Sequence, residues 1–474
     1  MDTLQHFYIN GQWTKPSAGC AQHSIINPAT EETVGTLPMA EASDIDAAIA
    51  AADAAFPAWS ETPLETRLGY LEKVLGLYQE KLPEMAQAIS QEMGAPIGLA
   101  TNLQAPVGMM HIANTLEVAR DFAFEEQHGS SVIRHEPAGV CSLITPWNWP
   151  MNQVMCKLAP ALAVGCTVVL KPSEFAALSA NVLAQIIDEA GLPAGVVNIV
   201  YGDGAKVGPL LSSDPRIDVV SLTGSTRAGI SVSQEAATTI KRVSLELGGK
   251  SANILLPGCD LEAAVTHGVR AMMNNTGQSC NAPSRMLVPA DKLAEAETIA
   301  TNACKAIAVG DTSDEATVMG PIANGRQYQR VLSLIETGIK EGAKLVCGGT
   351  EKPAGLEKGY FVLPTVFSEA NNDMTIAREE IFGPVLTMIP YKDVDEAVAI
   401  ANDTIYGLSG YVFGDPDQAR AVANRLRTGN VHLNGAGPDF TAAFGGYKQS
   451  GVGREWGRFG FDEFLEIKSV FQPA

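Results

Sequence analysis

Along the first hundred residues the apolar positions recur at helical spacing. Ser43 is placed to cap a helix that carries Ile45, Ile49, Ala52 and Phe56 on one face and is expected to end at Pro57. A second helix aligns Leu68, Leu71, Leu75, Tyr78 and Leu82. A third, after Pro83, aligns Met85, Ile89 and Met93 and stops at Gly94. These stripes are core-facing and carry no chemistry.

From about residue 138 the pattern changes to short apolar runs alternating with helices, which predicts a parallel sheet covered on both faces. Strands are expected at Cys141 to Thr145, Cys166 to Leu170, Val196 to Val200, Asp218 to Leu222 and Arg242 to Glu246. The clearest intervening helix has Leu178, Val182, Ile186 and Ala190 in register before Gly191. Such a chain is α/β, a doubly wound Rossmann-like sheet, and its ligands belong beyond the carboxyl ends of the strands. After about residue 250 a second α/β region begins, with a helix around Leu261 to Met273 and a strand-helix-strand unit from Leu408 to Asn434. The stretch Glu463 to Phe471 reads as an edge strand, with Leu465, Ile467 and Phe471 on one face and Glu466 and Lys468 on the other. A chain end of that kind pairs with a partner subunit or lies in solvent.

Length and charge narrow the classes. At 474 residues the chain needs two or three domains, and 46% apolar with 18% charged residues is globular usage. Against 53 acidic side chains stand 33 basic ones, and the net charge of -20 repels nucleic acid and anionic membrane surfaces, so neither is expected as a partner. Met1 to Trp13 has no leader pattern, and the apolar run Leu158 to Leu170 is too short for a bilayer, so the expected location is the cytoplasm. The 8 cysteines form neither C-x-x-C pairs nor a Cys/His cluster, which predicts no disulfide framework and no metal site. Each cysteine is then judged singly, as a core residue by default.

Unusual residues cluster where the predicted strands end. Two glycine groups, Gly202-Asp203-Gly204 through Gly208 and Gly224-Ser225-Thr226-Arg227-Ala228-Gly229, lie between strand and helix. Each is a phosphate-holding turn or a plain one, since neither matches G-x-G-x-x-G. Lys171-Pro172-Ser173-Glu174 follows the second strand, where Glu174 can accept from ribose hydroxyls or simply cap a helix. Glu246 closes the fifth strand before Leu247-Gly248-Gly249-Lys250, a setting for a general base or for an ordinary acid at a strand end. Cys280 lies in the polar stretch Asn275 to Ala282, unlike a core cysteine, and exposure with nearby amide dipoles is expected to favour its thiolate. Asn148, within Pro146-Trp147-Asn148-Trp149-Pro150, is an oxyanion donor or a turn residue.

Five ordered stretches together resemble the aldehyde dehydrogenase superfamily along essentially the whole chain. They are Pro146-Trp147-Asn148, Leu245 to Lys250, Gly277-Gln278-Ser279-Cys280, Glu379 to Val385, and Phe444 to Gly451. The resemblance implies a cofactor domain at 1–118 and 138–248, a catalytic domain at 249–445 with 446–463 returning to the cofactor side, and an oligomerisation element at 119–137 and 464–474. Homodimers or homotetramers are the states it implies. It makes Cys280 the nucleophile, Asn148 the oxyanion donor, Glu246 the base that activates water, and Lys157 with Glu455 a proton relay. Lys171 and Glu174 would hold the adenosine ribose, while Gly204, Gly208, Gly224 and Ser225 would line the adenine and pyrophosphate region. Glu380 would take the nicotinamide ribose, with Phe382 against the nicotinamide and Gln327 as a further contact. Ile144, Thr145, Pro146, Trp147 and Leu247 complete the cofactor set. Trp149, Gln153, Cys156, Ser279, Asn281, Pro438, Phe440 and Phe444 would line the substrate tunnel.

The implied reaction is oxidation of an aldehyde to a free acid, with NAD preferred and NADP as a second cofactor. Glu246 favours hydrolysis over transfer of the acyl group to coenzyme A. No arginine stands among the tunnel positions to pair a substrate carboxylate, which leaves aromatic, terpenoid or medium-length aliphatic aldehydes. The alternatives are a coenzyme A-acylating relative and a retired structural protein of the same fold.

Overall fold

The structure is a computed structural model and describes residues 2–473. Its early helices run over Ala42–Ser60, Leu64–Glu80 and Leu82–Met93. Two local expectations fail at the first of these. Its N-cap is Glu41, which exchanges hydrogen bonds with Asp44 in a capping box, while the Ser43 hydroxyl meets that of Ser17 instead. Pro57 sits inside the helix, because the chain continues to Trp59, a buried anchor worth more than one missing backbone hydrogen bond. The third helix does end at Gly94, which holds φ 76°.

The first large sheet has the order Gly451–Val452, Arg242–Glu246, Val219–Thr223, Val140–Thr145, Thr167–Pro172, Val197–Ile199, Phe7–Ile9, Gln12–Thr14. Its five central strands are parallel and are the five expected from sequence, displaced by at most two residues at an end. The strand Val140–Thr145 lies between the second and fourth strands in chain order, so the winding reverses there. That reversal opens a crevice beyond the ends of Val140–Thr145 and Val219–Thr223. The helix Ala177–Ala190 packs on this sheet, its first turn capped by the buried Glu92 carboxylate, which accepts from the Ser179 amide at 3.2 Å.

The second sheet has the order Lys344–Cys347, Thr365–Ser368, Val385–Tyr391, Arg285–Pro289, Ala252–Leu255, Ser409–Phe413, Asn430–Leu433, parallel except at Lys344–Cys347. The helix expected around Leu261 is Leu261–Met273, capped by Asp260. After Asn430–Leu433 the chain crosses back, and Gly451–Val452 adds an antiparallel edge beside Arg242–Glu246. The terminal strand Leu465–Val470 pairs with Ser131–Pro137 of its own chain, which in turn pairs with Glu125–His128. Among the described residues no helix is long and apolar enough to cross a membrane.

Candidate active site

Cys280 sits at the base of a cleft of about 670 Å³ that opens at the winding reversal. Pro146, Trp147 and Asn148 come to it from the end of the first parallel strand, Gly224 and Ser225 from the fourth, and Leu247 from the fifth. Gln327, Glu380 and Phe382 close the opposite wall from the second sheet's side. Arg227, quoted from sequence within the second glycine group, lines it too, as do Arg326, Arg330 and Tyr406, which were not singled out because nothing in their local spacing distinguishes them from solvated side chains.

The loop that presents Cys280 is held by strained backbone and side-chain ties. Asn275, Thr276 and Gly277 all have positive φ, at 51°, 57° and 69°. A Cβ on Gly277 would collide with the carbonyl of Gly383, so the loop needs glycine where it passes the Phe382 segment. Asn275 donates to the Asn148 carbonyl at 2.8 Å and accepts from Gln104 at 2.8 Å. The Asn148 amide nitrogen donates to the Gln278 carbonyl at 2.9 Å, which leaves its second hydrogen for another acceptor. Trp149 donates its indole N–H to the Ser279 hydroxyl at 2.8 Å. Cys280 is thus fixed between the two segments.

The thiol itself differs from expectation. Burial pushes the Cys280 pKa up, and the Glu380 and Glu246 carboxylates add to the shift, so the resting group is a thiol rather than a thiolate. Glu246 is 2% exposed, and neither carboxylate oxygen has a protein hydrogen-bond partner. Burial and the nearby Glu455 hold its pKa well above the ordinary carboxylate range, against the pull of Lys157 and Arg454. A carboxyl raised in this way, with both oxygens free, is suited to exchange a proton with a water.

Lys157 and Glu455 form a buried ion pair, and the other Glu455 oxygen accepts from the Cys156 thiol at 3.2 Å. Burial alone would lower the Lys157 pKa, but Glu455 overcomes it and keeps the ammonium charged. Cys156, expected on the tunnel wall, therefore turns toward Glu455 and borders a hollow of about 10 Å³, room for one water, with His111 and Trp456. Phe444 stacks on Trp456 at 4.3 Å, and Phe440 lies 4.8 Å from the same indole. Gln153 is buried on the same helix as Cys156, just after the N-cap Trp149, the Asn281 carbonyl accepts from Tyr411, and Pro438 is exposed.

On the cofactor side, Glu380 accepts from the Gly249 amide at 2.9 Å, and burial lifts its pKa to about 7. Phe382 has φ 57° and meets Trp147 edge-on at 5.5 Å. The Gln327 side chain donates to the carbonyls of Ile381 and Phe382, so it supports the Phe382 loop with its amide already engaged. Lys171, Glu174 and Gly204 stand together outside that cleft: Lys171 pairs with Glu174 at 3.4 Å, and Gly204 passes close to the ammonium. Gly208 lies within the helix Gly204–Ser213, Ile144 is buried in its strand, and the Thr145 hydroxyl is buried without a partner. The Ser225 hydroxyl caps the next helix through the Ala228 amide.

The sequence model of the aldehyde dehydrogenase family matches residues 13–470. The chain is 58% identical to a 3-succinoylsemialdehyde-pyridine dehydrogenase of a Pseudomonas species, over 99% of each. It is 44% identical to a putative aldehyde dehydrogenase of Staphylococcus saprophyticus, over 98% of each. Among solved structures, a mutant of aldehyde dehydrogenase C from Pseudomonas syringae, complexed with NAD+ and octanal, is 51% identical. It superposes with a TM-score of 0.98, covering 100% of this chain and 98% of that one. A Mycobacterium tuberculosis aldehyde dehydrogenase complexed with NAD+ is 41% identical with a TM-score of 0.96, covering 99% and 98%. With a matched family sequence, near-complete coverage by these relatives and the Cys280 loop set against Asn148 and Glu246, the chain belongs to the aldehyde dehydrogenase family.

Proposed function

We propose that this protein oxidises an aldehyde to a free carboxylic acid with NAD+, through a thioester on Cys280 that Glu246 helps to hydrolyse. The observation that carries the reading is the meeting of a thiol on a locked loop and an amide with a spare hydrogen in one cleft, with a buried carboxyl, both of its oxygens free, near enough to raise the pKa of the thiol.

The cleft fits a dinucleotide. Its volume of about 670 Å³, the apolar faces of Trp147, Leu247 and Phe382, and the acceptor Glu380 suit an aromatic ring joined to a ribose. NAD+, when bound there, supplies the hydride acceptor, and Lys171 with Glu174 would take the adenosine ribose. NADP+ is the second cofactor, because Lys171 offsets part of the repulsion between Glu174 and a 2′-phosphate.

Cys280 gives its proton to a base and adds to the aldehyde carbon, making it tetrahedral and electron-rich. The Asn148 amide and the Cys280 backbone N–H stabilise the oxyanion. Loss of hydride leaves a thioester on Cys280. Glu246 takes a proton from water as that water attacks, Cys280 leaves as its thiolate, and the acid is released. Glu455 and Lys157 then carry the proton onward from Glu246.

The relatives' substrates, a pyridine-bearing semialdehyde and octanal, support an apolar or aromatic aldehyde of medium length. The exposed Ile467 and Phe471 near the terminal strand support a homo-oligomeric contact there. The testing experiment is an aldehyde panel with both cofactors, scored by kcat/KM, with product analysis in the presence and absence of coenzyme A. Free acid with NADH is the expected product. Acyl-CoA formed in preference would refute hydrolysis, and absence of NADH with every aldehyde would refute the dehydrogenase reading.

A further inference from the structure

We infer, resting on the aldehyde dehydrogenase reading above, that Cys156 is a positioning residue for the hydrolytic step. Its S–H holds the second oxygen of Glu455, so that this carboxylate stays on Lys157 and leaves the Glu246 carboxyl free to act on water.

Cys156 and Lys157 are successive residues of the helix Pro150–Val164, so their side chains leave the helix about 100° apart. Both nevertheless reach one carboxylate. Lys157 pairs with Glu455 Oε1, and Cys156 Sγ lies 3.2 Å from Oε2. The same sulfur is 3.6 Å from the Gln153 carbonyl one turn back, but the shorter contact is to a charged oxygen and takes the proton. All three side chains are buried, with Cys156 at 4% exposure, so bulk water does not compete for the carboxylate. Burial and the Glu455 charge push the Cys156 pKa well above its ordinary value, with Lys157 opposing, which keeps the sulfur protonated and a standing donor.

Glu246 is the neighbour that makes this hold matter. Phe444 and Glu455 exchange backbone hydrogen bonds, and a Cβ on Gly445, the residue after Phe444, would meet Glu246 Oε1 at 2.6 Å. The two carboxyl groups therefore belong to adjoining stretches of backbone, and after burial the Glu455 charge is the largest cause of the raised Glu246 pKa. Coupled carboxyl groups readily share one proton. With Oε2 free to turn, Glu455 would compete with water for Glu246 through such a shared proton, and the base would be lost to hydrolysis. That bond is not made here. Among the described residues both Glu246 oxygens lack a protein partner, whereas both Glu455 oxygens are engaged, one by the ammonium and one by the thiol. The ion pair alone would leave Oε2 open, so the thiol is what completes the hold.

The test follows hydride transfer and acid release separately on the full-length enzyme, by stopped-flow NADH absorbance and quenched-flow product analysis, with NAD+ and the panel aldehyde of highest kcat/KM. Cys156→Val replaces the donor by methyl groups, Cys156→Ala removes it without added bulk should the branched side chain prevent folding, and Cys156→Ser keeps a donor. In the Val and Ala variants the NADH burst is expected at the wild-type rate while acid release slows about tenfold, the scale of one hydrogen bond to a charged group. Cys156→Ser should restore most of that loss, since its hydroxyl donates in place of the thiol. Acid release at the wild-type rate in the Val and Ala variants would overturn the inference. So would a fall shared in full by Cys156→Ser, or an equal fall of burst and release, either of which marks a purely structural role. Absence of NADH from the wild type with every aldehyde would instead overturn the dehydrogenase reading.

Discussion

Lys157 and Glu455 are paired inside the protein, with side-chain exposures of 1% and 6%, one on the helix Pro150–Val164 and the other after the edge strand Gly451–Val452. The pair joins the first sheet's helix layer to the segment that returns from the second sheet. It also places a charged relay beside Glu246. Removing one partner leaves an uncompensated buried charge, at a cost of about 3 to 5 kcal/mol. Glu455→Leu should therefore lower thermal stability markedly, and the double variant Lys157→Met with Glu455→Leu should recover most of it. Denaturation midpoints of the two variants check this: a double variant no more stable than the single one contradicts the account.

Cys280 and Glu246 are assigned separate steps, so their variants should separate kinetically. Cys280→Ala is expected to abolish aldehyde-dependent NADH formation. Glu246→Gln should still show a first-turnover burst while steady-state kcat falls about 100-fold to 10,000-fold. Stopped-flow absorbance of NADH distinguishes the two, and normal turnover by Cys280→Ala would remove the thiol from the mechanism.

Glu380 gives a pH dependence with a defined sign. Burial lifts its pKa to about 7, opposed by the Gly249 amide and by Lys250 and Arg330, with Glu379 raising it further. Below that pH the group is protonated and becomes a weaker ribose acceptor. The KM for NAD+ should accordingly rise as pH falls through about 7 and level off on the alkaline side, and Glu380→Gln should flatten the profile. A wild-type KM that is constant between pH 6 and 8, roughly one unit either side, would contradict it.

Gly277 is the residue where the Cys280 loop passes the Phe382 segment, with φ 69° and no room for a Cβ. Gly277→Ala should displace both segments, costing about 1 to 3 kcal/mol in backbone strain and at least about tenfold in kcat/KM. Activity equal to wild type would show that the loop tolerates the shift.

Much of the site was legible before folding because its residues sit in ordered motifs at strand ends. Pro146 to Asn148 and Cys280 were named from sequence and meet in the cleft, and Glu246, also named, lies near enough to raise the Cys280 pKa. Other features were hidden for physical reasons. His111 lies in an amphipathic helix of ordinary appearance, and its partner Asn152 is 41 residues away, so their pairing exists only once two helices pack. Trp456 lies outside every motif quoted from sequence, and its stacking with Phe444 and its unpaired N–H arise only in the folded chain. The cap of the first helix was misplaced by two residues, because Ser43 and Glu41 both offer side-chain oxygens and only the Asp44 contact selects between them.

By itself the sequence determined the alternation of strand and helix, the five central parallel strands and the chemistry of the motif residues, since periodicity and strand-end placement are local properties. Tertiary structure alone decided the state of those residues. Cys280 stands in a polar stretch that suggests an exposed thiolate, yet the assembled cleft half-buries it near Glu246 and Glu380 and holds it as a thiol. The charge on a group depends on the dielectric and the neighbours around it. Those neighbours come from segments more than a hundred residues apart at Asn148 and Gln278, and nearly three hundred apart at Lys157 and Glu455.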